Sequence, residues 1–175
     1  MQINFELPKY NANIEEIRVN NQDDESIGTL NRFNNNKILE EIGRHVSSTF
    51  VSNVKASSEE KNYEFILRNQ VKAFVTNTEW VIKENGSEIG EVKEKPVGRM
   101  LLIKSNQGEF EVKTELTSLR EVKIFKNTGE RELIAKGKRN LNFAKPMFEI
   151  EIQTDNIAFP PIFFAAVCFL HNNQK

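Results

Sequence analysis

The sequence predicts a mainly β protein: a closed antiparallel β-barrel of about twelve strands enclosing a hydrophobic C-terminal α-helix, plus one short helix in the N-terminal half. Three observations carry this. Most segments of the 175-residue chain alternate apolar and polar residues with period two, the pattern of a strand with one face buried. Turn signals built on Asn and Gly separate those segments. Near the C-terminus, IAFPPIFFAAVCFL (157–170) has no polar face, so a helix there must be surrounded by protein or lipid. In a chain of hairpins the available surrounding is the inside of a closed sheet. Eight strands make a barrel filled by its own side chains, so enclosing a helix needs more, and about ten to twelve can be counted.

In chain order, residues 1–14 read as a lead-in to a single domain spanning 1–175. IRVNNQDDESIGTLNR (17–32) is a first hairpin. NNNKILEEIGRHV (34–46) departs from the alternation: Ile38, Leu39, Ile42 and Val46 have helical spacing, and Asn36 is a candidate N-cap. SNVKASSEEK (52–61) is a polar loop before a strand at NYEFILRN (62–69). Three hairpins follow, turning at Asn85-Gly86, at Asn106-Gln107-Gly108 and at Asn127-Thr128-Gly129. Asn-Gly is the strongest of these signals, because both residues tolerate positive φ. MFEIEIQTD (147–155) places Phe148, Ile150 and Ile152 on one face and Glu149, Glu151 and Gln153 on the other. The central apolar helix is assigned to 157–171, its regular part starting close to Pro160, since proline fits a first turn.

Three segments share a layout: IRVNNQDDESIGTLNR (17–32), WVIKENGSEIGEVKEK (80–95) and VKIFKNTGERELIAKGKR (122–139). Each has an alternating strand, a polar turn, an acidic residue, then Ile and a small residue: Ile27-Gly28, Ile89-Gly90 and Ile134-Ala135. Either one hairpin is reused around a barrel, or the likeness is only that of β-hairpins in general.

Composition excludes several classes. With 24 Lys+Arg against 25 Asp+Glu, no global charge favours nucleic acid. A single cysteine, Cys168, rules out an internal disulfide framework and reads as a buried, inert thiol. No Gly-rich phosphate loop, nucleophile elbow, H-E-x-x-H or C-x-x-C is present, so no catalytic residue, metal site or cofactor is assigned. His45 reads as a surface or capping residue, and His171 as a cation suited to a helix C-terminus. Asp23-Asp24-Glu25 lacks the spacing of a calcium loop. Trp80 reads as core or barrel rim. The N-terminus lacks a basic start and an apolar stretch, so no secretory signal is expected there. The apolar run is short of the roughly 20 residues of a membrane span, and no transmembrane insertion is expected. The default compartment is the cytoplasm.

The combination resembles the tubby C-terminal-like fold shared by tubby proteins, plant LURP-one-related proteins and phospholipid scramblases. The resemblance rests on the hairpins ending in Ile27-Gly28 and Ile89-Gly90, on ELIAKGKR (132–139), and on FEIEI (148–152) followed at once by the apolar helix. It covers the chain from about residue 15 and points to small bacterial members. It implies a twelve-stranded barrel around a central helix and, through the animal members, phosphoinositide binding by clustered Lys and Arg. The chain departs from scramblases in lacking their cysteine-rich stretch and their acidic calcium segment.

Charge is uneven along the chain. Residues 91–145 hold 13 Lys+Arg and 8 Asp+Glu, whereas the first 62 residues hold 7 and 10. Lys136 and Lys138 should share one strand face with Lys123 on the partner strand, with Arg139 nearby. These four are the candidate lipid- or phosphate-binding residues, each contact worth roughly 1 kcal/mol at an anionic membrane; the plain alternative is a solvated outer wall. The expected function is a non-enzymatic, peripheral, membrane-associated adaptor for anionic phospholipid headgroups. The alternative is a cytoplasmic protein-interaction module of regulatory or immunity type with no lipid role. Neither involves nucleic acid.

Overall fold

The computed structural model describes residues 1–8, 16–33, 53–69, 78–95, 100–115, 118–141, 146–153 and 159–172. Twelve antiparallel strands close into a barrel: β1 (Gln2–Glu6), β2 (Ile17–Asn21), β3 (Ser26–Phe33), β4 (Asn53–Ser57), β5 (Asn62–Leu67), β6 (Glu79–Glu84), β7 (Ser87–Lys95), β8 (Met100–Ser105), β9 (Gly108–Glu115), β10 (Ser118–Thr128), β11 (Glu130–Asn140) and β12 (Met147–Ile152). Each strand pairs with its sequence neighbours, and β1 with β12 closes the ring through Ile3↔Ile150 and Phe5↔Phe148. The segment read as a lead-in therefore contains the closing strand. Its alternation is plain in retrospect: Ile3, Phe5 and Leu7 all point into the core. The helix expected over 34–46, with His45, lies outside the described residues.

One helix, α1 (Pro161–Asn172), fills the interior, and every residue from Ile162 to His171 is buried. Pro161 opens it, in the first turn where a missing N–H costs nothing. The preceding Phe159 is a buried bend residue stacked at 3.8 Å on Phe163, so the helix begins later than the expected 157. Aromatic contacts fix its direction. Phe163 meets Tyr63 near the rim of tight turns, whereas Phe169 meets Phe5, which stacks on Phe148 toward the opposite rim. Each fully buried Phe contributes roughly 1.5–3 kcal/mol. Gly137 leaves space for the Phe148 ring, which a Cβ would strike. Trp80 is fully buried, and Cys168 is enclosed, its thiol pushed up by burial. Arg32 enters the interior beside the Phe169 ring at 5.1 Å, and burial lowers its guanidinium to about 10. That position, near the helix C-terminus, suits a cation, and His171 in the last turn is buried.

The repeated layout is a repeated bulge. In β2–β3 the register passes from Val19↔Gly28 to Asn20↔Ser26, leaving Ile27 extra. In β6–β7 it passes from Ile82↔Gly90 to Lys83↔Glu88, leaving Ile89. In β10–β11 it passes from Ile124↔Ala135 to Phe125↔Leu133, leaving Ile134. The three hairpins recur at every fourth strand around the ring. The small residue after each bulge is explained by crowding: a Cβ on Gly28 would strike the Ser57 carbonyl and one on Gly90 the Lys104 carbonyl of the next strand. The third hairpin accommodates Ala135 at this place, fully buried.

Candidate functional site on the outer wall

The alternation of β10 and β11 sends Val122, Ile124, Ala135 and Gly137 inward and Glu121, Lys123, Lys136 and Lys138 outward. Lys123 and Lys136 are direct cross-strand partners. Lys123 is also the direct partner of Lys113 on β9. Three lysines on adjacent strands thus stand in one row across the wall, at neighbouring positions where like charges repel. The row continues to Glu151 on β12 and Gln2 on β1. The next row reads Glu121, Lys138 and Glu149. Side chains of both rows, Lys113 excepted, line a depression of about 420 Å³, floored by Val122 and Gly137.

The four residues expected to form the site do not share one environment. Lys123 and Lys136 belong to the cationic row. Lys138 lines the same depression but is in register with a carboxylate on each side. Arg139 alternates to the inner face, in register with the buried Phe148, and its Nε is buried. It does not line the depression. Strand parity alone separates Lys138 from Arg139, because successive side chains leave opposite faces of a strand.

Lys113 was missed. Its alternation in GEFEVKTE is regular, but its alignment with Lys123 depends on an irregular register between Ser118 and Val122 that no turn motif announces. Its surroundings on the wall are specific. The Phe125 ring faces outward with Lys113 Nζ at 5.3 Å and the Arg131 guanidinium at 4.0 Å from its centre. Arg131 also forms an ion pair with Glu111, the cross-strand partner of Phe125.

Other polar groups are engaged structurally. Glu84 accepts from Lys61 and from the Tyr63 hydroxyl, both at 2.7 Å. These bonds hold its carboxyl below the usual range, while burial and Glu84 push the Tyr63 hydroxyl up. Around the turn at Asp23 and Asp24, Asn20 and Asn21 donate to Asp24 and Glu25 at 2.9 and 3.0 Å. Among the described residues no group of three or more His, Cys, Asp or Glu is placed to hold a metal ion. Nor is any helix among them long and apolar enough to cross a membrane.

A twelve-stranded ring closed around an apolar helix defines a barrel whose interior is filled by its own helix. The family model for the Tubby C-terminal like domain matches residues 4–172, and the chain belongs to that family. The match takes in β2–β12 and α1 entirely and begins within β1, earlier than the sequence resemblance reached. No curated protein and no solved structure matches the chain.

Proposed function

We propose that the protein is a non-enzymatic, peripheral binder of anionic phospholipid headgroups, working at the cytoplasmic face of a membrane through the outer wall of β10 and β11. The observation that carries this is the direct opposition of Lys123 and Lys136. At the corresponding place the first hairpin pairs Arg18 with Thr29 and the second pairs Val81 with Glu91. The bulged hairpin therefore does not require like charges there, and like charges directly opposite each other carry a cost that a bound anion would offset. Membership of a family known for phosphoinositide and membrane binding supports the same ligand class. Lys136 and Lys123 are the principal contacts, Lys138 is secondary, and Arg139 is a wall residue rather than a contact.

Flotation with phosphatidylcholine vesicles, with and without phosphatidylglycerol, at low and physiological salt tests the reading. Binding is expected to rise with the anionic lipid and to fall with salt as charges are screened. It should be lost in Lys123→Glu/Lys136→Glu. Absence of binding at both salts would defeat the proposal and turn the search to a protein partner.

A further inference from the structure

We infer that the anion site extends onto β9 through Lys113, and that Arg131 is a positioning residue that keeps Lys113 available by holding Glu111 away from it. The inference deepens the lipid reading above and rests on it for the identity of the ligand. Glu111 and Lys113 are two residues apart on the outward face of β9, roughly 7 Å along the strand. A carboxylate at that distance is close enough to swing onto the ammonium and neutralise the end of the lysine row. It is prevented from doing so from the other side. Arg131, from the far limb of the β10–β11 hairpin, forms an ion pair with Glu111. The Phe125 ring carries Arg131 and Lys113 as two separate cation–π contacts. The ring thus sets the two cations apart, one facing the carboxylate and the other beside the lysine row.

The arrangement has the geometry of a guarded charge. Glu111 is mostly covered, its side chain 18% accessible, while Arg131 is 42% accessible. Lys113 flanks the depression of Lys123 and Lys136 without lining it, and Arg131 lies outside it and further from the row. Its influence on a phosphate would therefore pass through Lys113 rather than through contact. With Lys113 included, three lysines in register on adjacent strands project from the outer face, their backbone positions spanning roughly 10 Å. That length suits several phosphate oxygens on a packed headgroup surface better than one isolated phosphate.

A double-mutant cycle on vesicle affinity tests this, using phosphatidylcholine–phosphatidylglycerol vesicles and inorganic phosphate as the competing soluble probe. Lys113→Gln and Arg131→Gln are each expected to weaken vesicle binding about fivefold, the worth of one cation near an anionic surface. The double variant should be no weaker than Lys113→Gln alone, and Arg131→Lys should retain binding. Competition by inorganic phosphate at concentrations that leave the ionic strength unchanged would instead assign the row to a free anion and overturn the extended site. If the two substitutions multiply, Arg131 acts as bulk charge and its positioning role is overturned. A readout without lipid separates this inference from the lipid proposal. Acetylation of Lys113 by acetic anhydride, followed by mass spectrometry, should slow in Arg131→Gln and recover in Arg131→Gln/Glu111→Gln. Unchanged acetylation would overturn the positioning role, whatever the vesicles show.

Discussion

The hairpins β6–β7 and β10–β11 share a bulge, a small residue after it and an inward face, yet their outward faces differ. On β6–β7 the charges are matched. Lys93 approaches Glu91 at 3.0 Å and Glu79 at 4.0 Å, and Arg68 of the neighbouring loop reaches Glu91 at 3.4 Å. Glu84 at the end of β6 is tied to Lys61 and Tyr63. On β10–β11 the corresponding centre sets Lys123 against Lys136, with Lys113 beyond. Two positions further from the bulge, at the next outward-facing pair, the two hairpins agree again, with Glu79↔Lys93 and Glu121↔Lys138. The inward face is dictated by packing and the close approach of the next strand; the outward face is free to vary. A like-charge row on that free face is therefore a property of this chain's chemistry and not of its architecture.

The comparison can be broken most severely from inside. Removing residues 157–175 empties both halves of their common core and is expected to leave an insoluble or molten protein, with near-UV circular dichroism lost and dye binding gained. A soluble, cooperatively unfolding truncation would contradict the packing described here. Gly90→Ala drives a Cβ into the Lys104 carbonyl and should cost roughly 1–3 kcal/mol in denaturant unfolding. Ala135→Gly, the reverse change in the third hairpin, should cost no more than about 1 kcal/mol. Equal losses would mean that the two bulges are not equivalent.

Smaller effects sharpen the contrast between the outer faces. Glu84 has a depressed folded pKa, so its contribution is fully present above the unfolded carboxylate pKa of about 4.3 and is lost as pH falls through the lower folded value. Glu84→Gln should therefore lower stability at neutral pH and flatten the acid limb of a pH–stability curve, whereas Lys136→Gln should leave that limb in place. Lys123→Glu gives the third hairpin an attractive pair like those of the second, since its partners on both neighbouring strands, Lys136 and Lys113, are lysines. It should raise stability by roughly 0.2–1 kcal/mol while abolishing vesicle flotation, the two readouts moving in opposite directions. The smallest change in binding is expected for Arg139→Gln, with Lys138→Gln intermediate between it and Lys136→Gln.

The sequence made the framework legible where a local signal existed. Asn85 and Gly86 both adopt positive φ, as their turn type requires, and the facelessness of Ile162–Leu170 announced an enclosed helix. The shared layout of three hairpins was visible too, as Ile followed by Gly or Ala, but that it marks a bulge came only with the register. The loop expected over 52–61 instead holds β4, whose Val54 and Ala56 are buried among polar neighbours that masked the alternation; the other misses depended on distant partners. Ile3 and Phe5 alternate like any strand, but the strand that they pair with lies at the other end of the chain. Lys113 joins the site through an irregular register with β10, and Glu111 is neutralised by a residue 20 positions away. Arg139 was grouped with Lys138 by proximity in sequence, although one step along a strand crosses from one face of the wall to the other.

Closure by β1 and β12 has a consequence for biosynthesis. Of the barrel's own strands, the first to be synthesised waits for the last, Gln2 for Glu151, and the helix that fills the interior follows β12. Until then the nascent chain is a curved sheet with two open edges and an unfilled apolar concavity, the kind of species that recruits neighbours by edge pairing. Contacts of such long sequence separation also place folding toward the slow end for small domains, on the order of milliseconds to seconds. The demand on chaperones during translation should therefore be set by the final two elements, and a chain stalled before them should behave as an aggregation-prone client however well its hairpins have formed.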